Sequence, residues 1–520
     1  MRLITYQSKI KIIGFAIAVQ FLFIFAALVN KSFFTQKTEH KSAIAKKEVF
    51  TLPNIYDRNG YLLAFNIPTK SVYADPTKIL DLKKAAISLN KMFPGLLQEQ
   101  LQKKLKTQKS FVWIKRHITP EQYSDFLYQG IPGLYVKDEQ KRIYITEDLF
   151  SHVVGYTDDD GKGIAGLEHY LYKNSILKNV FLTLDTRVQY VLRQEMQETV
   201  KRYNAKGAAG VILDAQSGQI IAMVSLPDFD PNHQSFTTKE QKFNRASLGV
   251  YELGSVMKVF TFAAALDSGA IFVDDVLDVS SNIKIDKYTI KDFHPPKKPL
   301  YTAKETMLYS SNIGLAKIAL KCGAEKQMEY FEKLGLLDKL VLEIPEKGRV
   351  IKPRDKKDLT TITISYGYGA SVTLVHLVQA FATIVSKDGC AKRAKMISDS
   401  FLQNKVDCKS IVKDQTRKSF LELTEEIVKK GTGKRARAKG YRIGGKTGTG
   451  EKIKNGVYSK KLNVSTFVGA FPINQPQYVI AIMLDEPKSQ TSATGGVVAA
   501  PAVKNVVEKI APILKIQPSL

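Results

Sequence analysis

Cysteine is scarce in this sequence, whose 520 residues include only Cys322, Cys390 and Cys408. So few cysteines exclude a disulfide-scaffold protein. The sequence also lacks a Cys-x-x-Cys pair or a Cys/His cluster that would hold zinc, so we expect no metal and no cofactor. Cys390 and Cys408 bracket a short segment, and they either pair in an oxidising compartment or remain free thiols.

Acidic residues are also in short supply, since 50 Asp and Glu stand against 77 Lys and Arg and give a formal net charge of +27. Such an excess is typical of proteins that bind nucleic acid, an anionic membrane or a wall polymer, or of a solvated basic surface. The basic residues are spread along the whole chain, and no nucleic-acid-binding signature occurs. We therefore expect no nucleic-acid partner, while a membrane, a wall polymer and a solvated basic surface each stay compatible with the charge.

A long apolar run, Ile12 to Val29, lies near the N-terminus and follows the basic residues Arg2, Lys9 and Lys11. Its length is near the lower limit for crossing a bilayer and exceeds the apolar core of a usual signal peptide. We predict a cytoplasmic tail (1–11), an uncleaved transmembrane anchor (12–30) and a basic tether (31–47). A short tail before a very large domain favours translocation of that domain.

A first globular unit is predicted over residues 48–180, with mixed, β-rich structure and no catalytic residues of its own. Asp57-Arg58-Asn59-Gly60 between two apolar runs indicates a hairpin turn. Leu80 to Thr107 has helical spacing. We refer to this unit as the pedestal.

A second unit is predicted over residues 181–514, followed by a tail (515–520). Its pattern of helix, strands, a helical block, further strands and a closing helix predicts an α+β fold, with an antiparallel sheet covered by helices. The predicted helices are 186–203, 303–337, 374–385 and 498–514, and the predicted strands are 209–214, 219–225, 441–447, 465–471 and 478–484.

Ser255 and Lys258 form an S-x-x-K motif at the start of a helix-forming stretch, Val256 to Asp267. If Ser255 opens this helix, Lys258 lies on the same face, within reach of the serine oxygen. Lysine accepts the serine proton only when neutral, so burial or a nearby charge such as Lys446 must lower its pKa. A buried serine and lysine on an ordinary helix would produce the same motif. The pattern also occurs at Ser8, Ser88, Ser175, Ser281 and Ser410.

Ser310 and Asn312 precede an apolar helical run. A hydroxyl and an amide presented there can relay a proton and hold a substrate amide, although Ser and Asn are also favoured as helix caps. A second S-x-N pattern at Ser280-Ser281-Asn282 shows that the pattern alone is weak.

Lys446-Thr447-Gly448-Thr449 contains the only K-T-G of the chain and continues a predicted strand. The lysine and both hydroxyls can hold a substrate carboxylate, and a strand edge can bind an extended peptide. The backbone amides of Ser255 and Thr449 would complete an oxyanion hole.

Taken together in this order, the motifs resemble those of the class B penicillin-binding proteins, and most closely the division-specific transpeptidases (FtsI type). The resemblance covers residues 49–514. Further matching stretches are 55–60, 155–158, 166–168, 209–214, 243–246, 366–373 and 431–435. It implies a penicilloyl-serine transferase domain on a non-catalytic pedestal, with one N-terminal transmembrane helix and the catalytic domain outside the cytoplasm.

The resemblance also implies roles for the motif residues. Ser255 would be acylated by the penultimate D-alanine of a wall stem peptide, with Lys258 as base and Ser310 as proton relay. The residues that would hold the donor peptide are Asn312, Lys446, Thr447, Gly448 and Thr449. The implied partners are a lipid-linked precursor, β-lactams, an FtsW-type glycan polymerase, other division proteins and the inner membrane.

Arg58 and Glu168 match pedestal positions where the resemblance implies a structural ion pair, with solvated surface charges as the alternative. Leu253 and Ile145 stand where many relatives have proline, which affects local geometry rather than chemistry. Three other functions stay open: an elongation-specific transpeptidase, a β-lactam sensor or β-lactamase of the same fold, and a catalytically inert division scaffold. The short chain and Tyr366 to Thr373 favour division.

Overall fold

A computed structural model of the chain describes residues 11, 14–27, 51–398, 409–454, 456–490 and 492–519. The chain divides into two compact units, Met1–Thr51 and Leu52–Leu520. In the first unit, residues 14–27 form a helix (α1) with exposed side chains. No helix in the described part of the chain is both long and apolar enough to cross a membrane. The rest of the predicted anchor, 12–13 and 28–30, and the predicted tail and tether lie outside the described residues, except for residue 11.

The pedestal is built on a five-stranded sheet. The long strand β2 pairs with β1, β3 and β4, and β1 pairs in parallel with β7. The strands are β1 (Ile55–Tyr56), β2 (Leu62–Ala74), β3 (Val112–Ile118), β4 (Leu134–Tyr144), β5 (Tyr156–Thr157), β6 (Gly163–Ala165) and β7 (Val180–Phe181). The helices are α2 (Leu82–Met92), α3 (Gln98–Leu105), α4 (Pro120–Gln129), α5 (Ser151–Val154) and α6 (Gly166–Lys173).

The predicted turn at Asp57 is confirmed, because its amide donates to Tyr61 O at 2.8 Å and Gly60 adopts φ +86° between β1 and β2. The helical spacing of residues 80–107 corresponds to two helices, α2 and α3. Pro94 and Gly95 separate them, since proline and glycine end a helix.

The predicted ion pair of Arg58 and Glu168 is wrong. Glu168 is fully buried on α6, and its carboxylate accepts a hydrogen bond at 2.7 Å from Arg142 Nε on β4. Arg142 also donates to the carbonyl oxygens of Leu52 and Pro53. Arg58 lies at the exposed tip of the turn before β2 and is therefore not the cation that compensates the buried charge.

The second sheet confirms the predicted antiparallel arrangement. Its strand order is β14-β15-β16-β8-β9, and every neighbouring pair is antiparallel. Residues of β8 and β9 are buried on both faces of the sheet, so these strands are nearly continuous apolar runs. The strands are β8 (Gly207–Asp214), β9 (Ile220–Leu226), β14 (Gly444–Lys454), β15 (Val457–Phe471) and β16 (Tyr478–Asp485).

Helices cover this sheet. The first and last helices of this unit, α7 and α16, share a hydrophobic core with the sheet. In this core, Leu192 and Met196 pack with Ile212, Ile482 and Val506. Helix α14 is buried along its whole length and packs against β8, β15 and β16. On the side of the candidate site, α9 packs against α11, and α15 packs against β14. The helices of this unit are α7 (Thr186–Arg202), α8 (Lys239–Lys242), α9 (Lys258–Asp267), α10 (Ala303–Tyr309), α11 (Asn312–Cys322), α12 (Ala324–Lys333), α13 (Asp358–Ser365), α14 (Leu374–Val385), α15 (Asp414–Lys430) and α16 (Ala499–Ile513).

Two small two-stranded sheets lie between α9 and α10 in the sequence. One is formed by β10 (Val276–Asp278) with β13 (Leu300–Thr302), and the other by β11 (Ile283–Ile285) with β12 (Tyr288–Ile290).

Strands β14 and β15 are longer than predicted. Polar residues such as Lys452 obscure the strand pattern, and Lys452 Nζ is paired with Asp485 at 2.8 Å and with Glu486 at 2.5 Å.

Cysteine usage differs between the three positions. Cys322 is a buried free thiol, whereas Cys390 is disulfide-bonded. Cys408, the second residue of the pairing considered from the sequence, lies outside the described residues.

Candidate active site

Ser255 lies in a tight 3-10 turn, Gly254–Met257, that runs directly into α9, and Lys258 is the first residue of that helix. Gly254 has φ +58°, and a Cβ at this position would lie 2.3 Å from Thr449 O. Glycine is therefore required for the turn to approach strand β14 so closely. The serine is half-buried and is held beside the third motif.

Glycines of strand β14 also allow the close approach between this strand and the serine turn. A Cβ at Gly448 would lie 2.4 Å from Leu253 O, and one at Gly450 would lie 1.9 Å from Glu252 O. The preceding glycines of the strand have other neighbours, since a Cβ at Gly444 would meet Ile473 and one at Gly445 would meet Val468 O. In the structure the chain segment before Ser255 meets Gly448 and Gly450 instead, so Thr449 is placed next to the serine turn.

Lys258 Nζ reaches the second motif and donates three hydrogen bonds to it. The acceptors are Ser310 O at 2.6 Å, Ser310 Oγ at 3.2 Å and Asn312 Oδ1 at 2.7 Å. Ser310 adopts a left-handed conformation with φ +60° at the end of α10, which places its carbonyl and hydroxyl oxygens on the lysine side. The first and second motifs therefore meet at the Lys258 amine.

Lys446 reaches the same hydroxyl from β14. Its Nζ donates to Ser310 Oγ at 3.0 Å and to Thr447 O at 3.0 Å. Both lysines are completely buried, with 0% of each residue exposed. Ser310 Oγ is thus the point at which all three motifs converge.

Burial lowers the pKa of both lysines, because an ammonium group loses its hydration in the interior. Burial lowers the pKa of Lys446 to about 7. The pKa of Lys258 is held well below its ordinary value, first by burial and then by the positive charge of Lys446, while Asp292 acts in the opposite direction. A lysine with a lowered pKa can be neutral near neutral pH, which is the state that accepts a proton.

Ser311, which lies between Ser310 and Asn312, is the residue that caps the helix at the second motif. Ser311 Oγ accepts a hydrogen bond from Gly314 N at 2.9 Å and is the N-cap of α11. Ser310 and Asn312, which the sequence offered both as caps and as site residues, are thereby left to face Lys258.

The hydroxyls of the third motif are oriented by neighbouring chain segments. Thr447 Oγ1 donates to Thr432 Oγ1 at 3.1 Å, and Thr449 Oγ1 accepts from Gly495 N at 3.1 Å. Thr447 is largely buried, and Thr449 is half-buried. Thr432 belongs to the Gly431-Thr-Gly stretch, which the sequence singled out without a role.

An aromatic wall lies beside β14 and was not found from the sequence. The rings of Tyr368 and Tyr458 meet edge to face, with centroids 5.3 Å apart. Glu252 accepts hydrogen bonds from Tyr458 Oη at 3.1 Å and from Gly369 N at 2.7 Å. Tyr368 and Gly369 belong to the 366–373 stretch, which the sequence singled out without this role, whereas Glu252 and Tyr458 lie in other parts of the chain.

Asp292 was also missed from the sequence, although it contacts the second motif directly. It precedes Ser310 by 18 positions in a stretch with no motif around it. By contrast, the serine of the second S-x-N pattern is engaged locally, since Ser280 Oγ donates to Asp278 at the end of β10 at 2.6 Å. Among the described residues, no group of His, Cys, Asp and Glu side chains could hold a metal ion.

Two family models and several known proteins match this chain. The penicillin binding protein transpeptidase domain matches residues 208–508, and the penicillin-binding protein dimerisation domain matches residues 53–178. A probable peptidoglycan D,D-transpeptidase FtsI of Caulobacter vibrioides is 32% identical over 485 residues, which cover 89% of this chain and 81% of that protein. A probable peptidoglycan D,D-transpeptidase PenA of Neisseria meningitidis is 30% identical over 566 aligned residues, which cover 99% of this chain and 94% of that protein.

Solved structures show the same fold. Penicillin-binding protein 3 of Mycobacterium tuberculosis, complexed with aztreonam, has a TM-score of 0.71 at 24% identity, with 90% of this chain and 97% of that chain covered. The expected α+β penicilloyl-serine transferase fold is therefore confirmed. The chain belongs to the penicillin-binding protein family, as a class B member of the FtsI type with peptidoglycan D,D-transpeptidase activity.

Proposed function

We propose that Ser255, Lys258 and Ser310 carry out the acyl transfer of this D,D-transpeptidase, as nucleophile, general base and proton relay. The observation that carries the assignment is the shared hydrogen bonding of Lys258 and Lys446 to Ser310 Oγ. A serine hydroxyl needs a neighbouring base to become a nucleophile, and only Lys258 follows Ser255 within one helical turn. Burial supplies the lowered lysine pKa that this role needs.

In the acylation step, Ser255 Oγ attacks the carbonyl carbon of the penultimate D-alanine, and its proton passes to the neutral Lys258 amine. The tetrahedral intermediate then collapses with cleavage of the peptide C–N bond. Ser310 Oγ gives its proton to the departing D-alanine nitrogen and regains one from Lys258. The hydrogen bond from Lys258 to Ser310 Oγ is the path for that second transfer.

The donor peptide would be held between the second and third motifs. Asn312 would bind its backbone, while the Lys446 ammonium and the Thr447 and Thr449 hydroxyls would receive its terminal carboxylate. Gly448 lets the serine turn approach the strand. The amides of Ser255 and Thr449 would stabilise the oxyanion, because fixed N–H groups lower the free energy of the developing charge.

In the second step, an amine of a neighbouring stem peptide attacks the Ser255 ester. The bond between the acyl carbon and Ser255 Oγ breaks, a new amide forms, and the amine proton returns through Lys258 to the serine. The product is a cross-link between two wall peptides. A β-lactam would acylate the same serine and would not be released by this amine.

We also propose septal synthesis during division, with residues 12–30 as a single-pass anchor between the tail 1–11 and the tether 31–47. The pedestal (48–180) and the catalytic domain (181–514) would then stand outside the cytoplasm, where stem peptides are. The disulfide at Cys390 supports an oxidising compartment. A lipid-linked precursor, an FtsW-type polymerase and other division proteins would be the partners, and depletion should give filaments rather than round cells.

Mass spectrometry of the penicillin adduct tests the assignment of the nucleophile. We expect one adduct on Ser255, no adduct in Ser255→Ala, and an unchanged adduct in Ser281→Ala, which removes another S-x-x-K serine. An adduct on Ser281 in the wild type would overturn the assignment. Rapid steady-state hydrolysis of nitrocefin would instead indicate a β-lactamase of the same fold.

A further inference from the structure

Asp292, two residues after the end of β12, binds the segment Ser311–Ile313 through both carboxylate oxygens. Its Oδ2 accepts a hydrogen bond from Ser311 Oγ at 2.7 Å. Its Oδ1 accepts from the backbone amides of Asn312 and Ile313, the latter at 3.0 Å. The first turn of α11 is therefore fixed by a charged group from another loop.

The neighbouring residue fixes the side chain of Asn312. Lys291 O accepts a hydrogen bond from Asn312 Nδ2 at 2.9 Å, which leaves Oδ1 facing Lys258 Nζ at 2.7 Å. With the amide turned over, its NH₂ group would face the donor hydrogens of the Lys258 amine and its oxygen would face a carbonyl, so both hydrogen bonds would be lost. Lys291 and Asp292 thus hold the backbone and the side chain of Asn312 from one side.

We propose that Asp292 is a positioning residue for the acyl-transfer reaction, acting through Ser311 and Asn312 on the placement of the Lys258 amine. The inference rests on the proposed role of Lys258 as base. The hydrogen bonds of Asp292 go to Ser311, Asn312 and Ile313. Of these, Asn312 contacts Lys258 directly, so the influence of Asp292 reaches the amine through Asn312.

The negative charge of Asp292 also acts on the pKa of the Lys258 amine. Among the described residues, two charged groups act on Lys258, namely Lys446 from β14 and Asp292 from the loop after β12. Lys446 lowers the pKa of Lys258, and Asp292 raises it. Removing the Asp292 charge should therefore lower the pKa of Lys258 further, and the base would become neutral at a lower pH.

Helix capping alone is the competing role for these contacts. Asp81 provides a matched control, because its carboxylate accepts from the amides of Lys83 and Lys84 at the start of α2. Helices α2 and α11 both have 11 residues. A capping carboxylate in the pedestal should contribute to stability without affecting the chemistry of Ser255.

The test uses the full-length chain and measures the rate of fluorescent-penicillin acylation from about pH 5 to pH 10, together with the thermal unfolding midpoint. For Asp292→Asn, which keeps the side-chain volume, we expect the acidic limb of the pH profile to move to lower pH. For Asp292→Ala, we also expect the plateau rate to fall about tenfold or more, because Asn312 loses its anchor. Asp81→Asn and Asp81→Ala should keep the wild-type profile and rate.

Unchanged pH profiles and rates in both Asp292 variants, with only lower unfolding midpoints, would overturn the inference and leave a helix cap. An equal change in the Asp81 variants would overturn it as well. Asp292→Asn reports on the charge even where Asp292→Ala does not fold. Absence of any Ser255 adduct in the wild-type chain would refute the proposed function itself, so the two failures are distinguishable.

Discussion

Lys258 and Lys446 donate hydrogen bonds to the same oxygen atom, Ser310 Oγ, at 3.2 Å and 3.0 Å. Both amines are buried, so two full positive charges there would be strongly unfavourable. The arrangement therefore favours at least one neutral amine in the folded state. This requirement connects the packing of three distant chain segments to the protonation state that acyl transfer needs.

Ser310→Ala removes the oxygen shared by the two lysines. We expect acylation by fluorescent penicillin to slow by about 10²–10⁴-fold, the usual contribution of a positioned proton-transfer group. The adduct should still form on Ser255, because the nucleophile and its base remain. Ser280→Ala, in the second S-x-N pattern, serves as the control and should label at the wild-type rate. Wild-type labelling of Ser310→Ala would contradict the relay role.

Lys446→Met removes a charge that lowers the pKa of Lys258. The base acts only when neutral, so a higher pKa of Lys258 moves the acidic limb of the acylation rate to higher pH. We expect this shift in the pH profile, in addition to weaker binding of the donor carboxylate. Lys452→Met on the same strand is the control, since Lys452 pairs with Asp485 and Glu486 away from the motifs. A limb that stays in place would show that the Lys446 charge does not act on Lys258.

Gly254→Ala tests the close approach of the serine turn to β14. The new Cβ would lie 2.3 Å from Thr449 O, so the turn or the strand must move. We expect acylation to fall by about 10²-fold, because small displacements of reacting groups cost that much. Gly269→Ala also has a positive φ, +70°, but open space around it, and should lose only about 1–2 kcal/mol of unfolding free energy with a normal acylation rate. Equal acylation rates in the two variants would refute the crowding argument.

Local patterns were enough to predict the main sheet and the three motifs. Helix α14 has the bounds that its spacing predicted, Leu374–Val385, because every residue along it is buried and apolar or hydrogen-bonded. The motif residues were found because each has a distinct chemical type next to a helix or strand signal. Order along the chain then separated them from the other S-x-x-K serines.

Long-range partners could not be predicted in the same way. Arg142 and Asp292 lie in stretches without local signals for a role, and their partners are 26 and 20 positions away, at Glu168 and Asn312. Which cation reaches a buried carboxylate depends on how β4 packs on α6, and the sequence alone does not contain that distance. The aromatic wall of Tyr368 and Tyr458 was missed for the same reason.

Arg142→Met tests the corrected ion pair of the pedestal. Glu168 is completely buried, and burial raises its pKa while Arg142 opposes that change. Without the guanidinium, the carboxylate is left buried without a cation, and we expect a loss of about 3–5 kcal/mol in the free energy of unfolding measured by urea denaturation. Arg58→Ala, at the exposed turn, should change that free energy by no more than about 0.5 kcal/mol.

The double variant Arg142→Met with Glu168→Met separates the charge from the packing. Replacing both members of a buried pair with apolar residues is often neutral, so most of the lost free energy should return. A loss in Arg58→Ala equal to that in Arg142→Met would restore the pairing first expected from the sequence. A double variant as unstable as Arg142→Met would show that the hydrogen bonds donated by Arg142 to the Leu52 and Pro53 carbonyl oxygens, rather than compensation of the Glu168 charge, carry the stability.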